Sequence, residues 1–260
     1  MFALGAAVVS GFSVWLNGQV VSRVDVFGDP GTYTTAKNLV AGAVVVLVAV
    51  VATSARSAGG LRRPAGPRQW WGLAAVAVVG GAVPFLLFFE GLARSGAPAD
   101  AQLVHKAGLL AFVVVLAPLV LRERLGWFQL AGVGLVMAGY WILSGDVGSL
   151  GLGAGLLLVL AASLCWATET VIDRWLLGGV TPVTVAVARL GAGSLVLVGI
   201  GLANGDTARL ADLGATGWGW AALTGAVLAG YALLWLYGLA NATAVDVTAV
   251  LTVAAPITAV

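Results

Sequence analysis

Long apolar runs separated by short polar or charged turns dominate the hydropathy pattern of this chain. Each run is close to the roughly 20 residues that an α-helix needs to cross the hydrocarbon core of a bilayer. The predicted spans are residues 3–22, 31–53, 70–93, 98–120, 126–144, 149–175, 181–203, 216–239 and 244 onward. The pattern therefore predicts an all-α, polytopic transmembrane helix bundle.

A membrane hairpin at residues 103–144 is the most informative stretch of the pattern. It consists of two apolar runs joined by the charged turn Arg-Glu-Arg at residues 122–124. Its first arm also contains His105 and Lys106, adjacent ionisable residues at a depth where a charge is costly. Because such residues are usually buried in protein or belong to a polar pathway, both are candidate site residues.

Composition supports a membrane protein and excludes several other classes. Hydrophobic residues make up 60% of the chain and charged residues 9%, which leaves too little polar surface for a soluble globule. The net charge of +2 is small and the basic residues gather in loops, so a nucleic-acid partner is excluded. One cysteine, Cys165, and one histidine exclude a disulfide framework and a zinc cluster built from these residues. The N-terminus lacks the basic start of a secretory signal and is predicted to be the retained first span.

The basic residues of the predicted loops are unevenly divided between the two sides of the membrane. Seven arginines lie on the side of the N-terminus and three on the other. The seven are Arg56, Arg62, Arg63, Arg68, Arg122, Arg124 and Arg174, and the three are Arg23, Arg94 and Arg209. The positive-inside rule then predicts a cytoplasmic N-terminus in the cytoplasmic (plasma) membrane.

An internal repeat relates the two halves of the chain. Tryptophan, arginine, proline and basic residues recur in order at a shift of 151 or 152 positions. The pairs are Trp15 with Trp166, Arg23 with Arg174, Pro30 with Pro182, and Lys37 with Arg189. We assign residues 1–145 to the first repeat and 146–260 to the second. Because a repeat of five spans has an odd number of crossings, the second is predicted to be inverted, which is a transporter architecture. Since the ninth span is still apolar at Val260, the second repeat is expected to lack its tenth span.

The end of the first repeat resembles a known family. Glu123-Arg124, followed by Gln129, Gly132 and Gly139, is similar to the end of a five-span repeat in the drug/metabolite transporter superfamily, EamA type. The two repeated tryptophans and the basic residues early in spans 2 and 7 also match that pattern. The resemblance implies ten spans, with spans 1–4 and 6–9 around a central cavity and spans 5 and 10 as peripheral support. Glu123 itself, in a turn at the membrane interface, is predicted to be structural.

Lys37 is the first candidate for a substrate site, with Lys106 as the second. Lys37 has no evident carboxylate partner, because the position equivalent to Glu169 in the first half is Gly18. A charge at that depth is stabilised by water and a ligand anion, or by extending its long side chain toward Asp29. Both interpretations stay open. His105, Trp15, Trp166 and Glu90 complete the candidate substrate-binding set.

Two ion pairs are predicted between spans. Glu169 and Arg189 lie at similar depth on spans 6 and 7, and their pair is either a structural clasp, a gate or a substrate contact. Glu90 and Lys106 form a second predicted pair near the outer side of the membrane, although their depths match less closely. His105, beside Lys106, either titrates during transport or faces a hydroxyl or carbonyl group.

The predicted function is secondary transport or export of a small organic metabolite by alternating access, with an anionic or zwitterionic substrate favoured by the intramembrane bases. The sequence has no Walker-type phosphate loop, so the driving force is a gradient or exchange. An intramembrane transferase and a passive channel are the alternatives. The scattered carboxylates argue against the first, and the lack of a continuous polar stripe argues against the second. No catalytic residue, metal or cofactor is predicted. The expected partners are a small-molecule substrate and the lipid bilayer, and a homodimer is left open.

Overall fold

The computed structural model describes residues 1–21, 24–55, 59–95, 98–143, 153–205 and 207–254, which form a bundle of α-helices without β-strands. The helices are α1 (Phe2–Val21), α2 (Val24–Phe27), α3 (Pro30–Ser54), α4 (Pro67–Ala75), α5 (Val83–Ser95), α6 (Pro98–Leu116), α7 (Trp127–Leu143), α8 (Ala154–Leu176), α9 (Pro182–Ala186), α10 (Gly193–Asn204), α11 (Thr207–Ala211), α12 (Ala215–Asn241) and α13 (Ala244–Leu251). Three π-helical segments continue α4, α6 and α9, at Val76–Gly80, Ala117–Leu121 and Val187–Ala192.

Seven helical stretches of the described residues are long and apolar enough to cross a membrane, so the chain is a polytopic helical membrane protein. They are Phe2–Val20, Pro30–Ser54, Pro67–Ser95, Ala101–Leu121, Ala154–Leu176, Pro182–Asn204 and Ala215–Asn241. The other two predicted spans correspond to the shorter helices α7 and α13. The predicted repeat boundary at 145/146 and the end of the ninth span, where the absence of a tenth is expected, lie outside the described residues.

The two halves of the bundle make reciprocal contacts through equivalent helices. Helix α8, the first of the second half, packs against α5 and α6, the third and fourth spans of the first half. In the same way, α1 packs against α12 and α13, the corresponding spans of the second half. The second spans of both halves, α3 and α9–α10, pack against each other. This reciprocity is what a twofold relation between two repeats requires.

Small residues allow the helices of the two halves to approach closely. A Cβ placed on Gly193 would lie 2.7 Å from the Cα of Gly81, and one placed on Gly91 would lie 2.7 Å from the carbonyl oxygen of Gly155. Helix contacts inside a membrane depend on such close backbone packing, because lipid tails are as apolar as the side chains they replace. These glycines therefore have a packing role.

Helices α3 and α9 begin in the same way. Each has proline in its first turn and a side chain that caps the free amides: Asp29 accepts from the amide of Thr32 at 2.8 Å, and Thr181 from that of Thr184 at 3.3 Å. Asp29 also pairs with Arg209 at 2.7 Å. Burial acts to raise the pKa of Asp29, but the hydrogen bonds from Thr32 and Arg209 and the charge of Arg209 together lower it.

The turn at residues 122–124 contacts the second half of the bundle. The Glu123 carboxylate accepts from the backbone amide of Ala244 at 3.2 Å, at the start of α13, and lies 3.5 Å from Nε of Arg174. It therefore caps a helix of the other repeat, where an acidic group is favoured by the helix dipole. Nearby, Gln129 of α7 donates to Asp246 of α13 at 2.7 Å. On α7 itself, the side chains of Trp127, Phe128, Leu130, Leu135 and Ile142 are exposed, which places that helix at the periphery.

Candidate functional site

A central cavity lies between the helices of both halves and has a volume of about 60 Å³. Its charged or titratable lining side chains are Lys37, His105, Lys106, Glu169, Arg189 and Tyr231. Its aromatic lining consists of Phe85, Phe88, Phe89, Trp166 and Trp235. A largely apolar chamber with a few converging polar groups is the usual form of a small-molecule site.

Lys37 lies in this cavity and is almost fully buried. Its ammonium donates to Oδ1 of Asn17 at 3.2 Å and lies 4.4 Å from the ring centroid of Phe89. The hydroxyl of Tyr33 donates to the same Asn17 oxygen. Among the described residues, no carboxylate forms an ion pair with Lys37. Its side chain does not extend to Asp29, whose carboxylate binds Thr32 and Arg209 instead.

Lys106 is also buried, and its ammonium donates to the hydroxyl of Ser10 at 3.1 Å. The predicted pair between Glu90 and Lys106 does not form. Glu90 instead pairs with Arg94, one turn later on α5, at 2.7 Å, and both side chains are exposed. A partner at position i+4 of the same helix is always within reach, whereas a partner on another helix depends on how the two helices are rotated. Glu90 is therefore outside the cavity lining.

The imidazole of His105 faces a hydroxyl group, as the second of its two predicted interpretations expected. Its Nδ1 lies 3.0 Å from Oγ of Ser163, and that hydroxyl donates to the carbonyl of Val159 at 2.7 Å. Because a serine hydroxyl has a single hydrogen, Nδ1 must donate to Ser163, and Nε2 is then the acceptor. The ring also contacts Phe88 and Trp166, with centroids 5.3 and 4.9 Å away.

The two repeated tryptophans lie in different surroundings. Trp166 lines the cavity, and its indole donates to the carbonyl of Gly80 at 3.1 Å. Trp15 is 39% exposed, stacks on Phe12 and does not line the cavity.

The difference follows from helix rotation. The side chains of α1 and α8 that face the bundle interior correspond at a shift of 153 positions, as Ser10 with Ser163, Ser13 with Trp166 and Asn17 with Thr170. The tryptophans match at a shift of 151. Two residues rotate a helix by about 200°, which places Trp15 on the opposite face.

Glu169 and Arg189 meet at the wall of the cavity. Nε of Arg189 lies 3.2 Å from Oε1 of Glu169, and both side chains are buried. The contact lacks the alignment of a hydrogen bond, so Nε and Nη1 of Arg189 have no hydrogen-bond acceptor. The guanidinium also lies 4.6 Å from the ring centroid of Trp235. Arg189 belongs to a π-helical segment, a feature frequent at functional sites.

Asp173, Asn17 and the three phenylalanines of α5 were missed by sequence reasoning. Asp173 lies one turn after Glu169, is fully buried, and neither carboxylate oxygen has a hydrogen-bond partner among the described residues. Its place near the predicted end of span 6 concealed it, although a carboxylate four residues after Glu169 was a usable signal. Asn17 gave a weaker signal in the sequence, because it is a single amide side chain within an apolar span. A phenylalanine in a membrane helix gives none, because it suits lipid equally well.

Comparison with known proteins assigns the architecture. A family model described as the EamA-like transporter family matches residues 1–145 and residues 153–260. No curated protein matches this chain. A crystal structure of another protein aligns over 98% of this chain and 98% of its own, with a TM-score of 0.52 and 21% sequence identity. At that identity, the likeness shows the fold alone.

Proposed function

Because this chain belongs to the EamA-like transporter family, whose members are membrane transporters of the drug/metabolite transporter superfamily, we propose that it carries small organic anions or zwitterions by alternating access. Transport is secondary, driven by a gradient or by exchange, since the sequence has no phosphate loop for ATP.

The observation that carries the proposal is the excess of buried bases at the cavity. Lys37, Lys106 and Arg189 line it, and of these three bases only Arg189 forms an ion pair with a described residue. A buried ammonium whose only polar partners are neutral groups costs several kcal/mol. The carboxylate of a substrate would supply the missing charge, so the free energy of binding includes relief of that cost.

The remaining lining supports the rest of such a substrate. The rings of Phe85, Phe88 and Phe89 offer an apolar wall for a hydrocarbon or aromatic group. For a zwitterion, the Glu169 carboxylate and the acceptor Nε2 of His105 are suited to receive an ammonium group. A cationic drug without a carboxylate gains no such partner at Lys37 or Lys106.

Alternating access rests on the arrangement of the two halves. Glu169 and Arg189 each lie seven residues from the facing ends of α8 and α9, about 10 Å along the helices. We infer that their ion pair closes this side of the cavity and opens when the halves move relative to each other. Lys37 lies equally deep from the start of α3, toward the opposite side.

The positive-inside count supports a cytoplasmic N-terminus and insertion in the cytoplasmic membrane. The loop at residues 59–66, which holds Arg62 and Arg63, then faces the cytoplasm.

The homodimer stays a prediction.

The proposal is tested by thermal stability of the purified protein in detergent. For several side chains, three matched compounds are compared: the amino acid, the carboxylate without the amine, and the amine without the carboxylate. At about 100 times Kd, a bound ligand stabilises by about 2.7 kcal/mol, a shift of roughly 5 °C or more. Compounds with a carboxylate are expected to give this shift in the wild type and none in Lys37→Met. Stabilisation by the amines alone would contradict the proposal.

A further inference from the structure

A second cavity, a groove, opens on the outer surface of the bundle between α3, α4 and α9–α10. Its volume is about 970 Å³, and its walls are almost wholly apolar, including Leu39, Val46, Leu73 and Leu195. Its floor is the close contact of α3 with the third π-helical segment, where a Cβ placed on Gly42 would lie 2.7 Å from the carbonyl oxygen of Leu190. In a membrane, such a groove faces the lipid tails.

One end of the groove is basic and firmly held. Arg62 and Arg63 line it, are exposed, and form no ion pair with any described residue. The loop that bears them is anchored to the start of α9: the amide of Arg62 donates to Oγ1 of Thr184 at 2.9 Å, and Oγ1 of Thr181 donates to the carbonyl of Gly60 at 2.8 Å. Two guanidinium groups that no described carboxylate neutralises are thus held at the mouth of an apolar groove.

The length of the groove selects its occupant. From Thr184 at the basic end to Leu195 at the other is eleven residues, about 17 Å of helix rise. The hydrocarbon core of a bilayer is about 30 Å thick, so the groove spans about one leaflet. A transmembrane helix of a partner or of a second copy would need the full thickness, whereas one lipid molecule needs a single leaflet.

We propose that this groove binds one anionic phospholipid. Its headgroup phosphate lies between Arg62 and Arg63, and one acyl chain lies along the apolar walls toward Leu195. Guanidinium groups recognise phosphate oxygens through paired, charge-assisted hydrogen bonds, and basic residues at the membrane surface favour anionic lipids. The site is separate from the central cavity and does not depend on the transported substrate.

Native mass spectrometry of the purified protein tests this, with phosphatidylglycerol and phosphatidylcholine added in equal amounts. Wild type is expected to retain one phosphatidylglycerol in preference to phosphatidylcholine. In Arg62→Gln/Arg63→Gln, retention should weaken about 30-fold, the change expected when two basic residues near a membrane surface are removed. Ala43→Phe, which fills the groove from an exposed position of α3, should also abolish retention although both arginines remain.

Matched controls separate the site from general effects of charge and bulk. Arg68→Gln removes an exposed charge from the first turn of α4, outside the groove, and Val50→Phe adds a ring to an exposed position of α3 outside it. Both should behave as wild type. Equal retention by the double variant, equal loss in Arg68→Gln, or equal retention of phosphatidylcholine would overturn the proposal. Displacement of the lipid by glycerol phosphate would show a soluble-anion site and overturn it as well.

Discussion

Lys37 and Arg189 are counterparts in the two repeats, but only Arg189 has an acidic partner. Each lies seven residues after the proline at the start of its helix, Pro30 or Pro182, and each lines the central cavity. Arg189 lies 3.2 Å from Glu169, whereas Lys37 donates to the neutral amide of Asn17. This asymmetry is the reason that we propose Lys37, rather than Arg189, as the base that meets a substrate carboxylate.

Replacing Lys37 by methionine should abolish transport without unfolding the protein. Methionine keeps most of the aliphatic stem and removes a buried charge that no carboxylate of the described residues neutralises, and such replacements are often neutral or stabilising. We expect uptake of a ligand identified by thermal stabilisation to fall at least about 10-fold in proteoliposomes, while the melting temperature holds. Glu90→Gln, outside the cavity lining, should leave uptake unchanged. Wild-type uptake by Lys37→Met would make that lysine a structural residue.

The ion pair between Glu169 and Arg189 should be strongly coupled. Arg189→Met leaves the carboxylate of Glu169 buried without its cation, and breaking a buried pair typically costs about 3–5 kcal/mol. Glu169→Gln in the Arg189→Met background should recover part of that loss, measured as the free energy of unfolding in detergent. Asp173→Asn should be neutral or stabilising, because its carboxylate oxygens have no hydrogen-bond partner. Additive effects in the double variant would disprove the coupling.

Gly80 should tolerate no side chain. A Cβ at this position would overlap the carboxylate of Glu169, so Gly80→Ala must displace the ion pair or the backbone of the first π-helical segment. We expect a loss of about 1–3 kcal/mol, as for other overpacked sites. Gly132→Ala on α7, where no atom lies within 4 Å of the added Cβ, should be neutral or stabilising. Similar unfolding curves for both variants would contradict the close contact at Gly80.

The cap of α3 should depend on pH, and that of α9 should not. The folded pKa of Asp29 is lowered, so its contribution is complete above the usual value of 3.8 and is lost as pH falls through the lower folded value. At pH 7, Asp29→Ala should cost about 1–2 kcal/mol. The difference from wild type should shrink in melting experiments below about pH 4. Thr181→Ala, which removes a hydroxyl cap, should have the same cost at both pH values, and a constant cost for Asp29→Ala would contradict the charged cap.

Single cysteines should show that the loop before α4 and the loop after α10 face opposite sides. In a Cys165→Ala background, Ala65→Cys should react with a membrane-impermeant maleimide only after the cells are permeabilised. Asn204→Cys should react in intact cells. Both positions are exposed. The result depends on α7, the short helix of 17 residues, because the second half is inverted only if α7 crosses the membrane. Labelling of both from one side would mean that it does not.

Much of the fold could be predicted from the sequence, because membrane spans obey a local rule. A helix in lipid needs about 20 apolar residues whatever it packs against, so the hydropathy pattern indicated a polytopic helical bundle, which is confirmed. The recurrence of Trp, Pro and basic residues indicated two repeats, and the family model matches both halves. The resemblance to EamA-type transporters is likewise confirmed.

The candidate site was less accessible, because membership in a cavity depends on the rotation of each helix about its axis. Lys37, His105, Lys106, Trp166, Glu169 and Arg189 line the cavity, whereas Trp15 and Glu90 do not. Their polarity and depth were readable from the sequence. The helix face on which each side chain lies could not be read. Each span is apolar on all its faces, so it lacks the amphipathic pattern that identifies the buried side of a soluble helix.

Composition along each helix was enough to predict the helical membrane class, the approximate place of the spans, the internal repeat and the intramembrane charges. Of the nine predicted spans, seven correspond to described helices long and apolar enough to cross a membrane. Which charges meet depends on how the helices pack. Glu169 of α8 pairs with Arg189 on the neighbouring span, and Lys37 donates a hydrogen bond to Asn17. Glu90 pairs with Arg94 on its own helix. The physical reason is that a rotation of one helix by half a turn leaves its hydropathy unchanged and replaces every neighbour of its side chains.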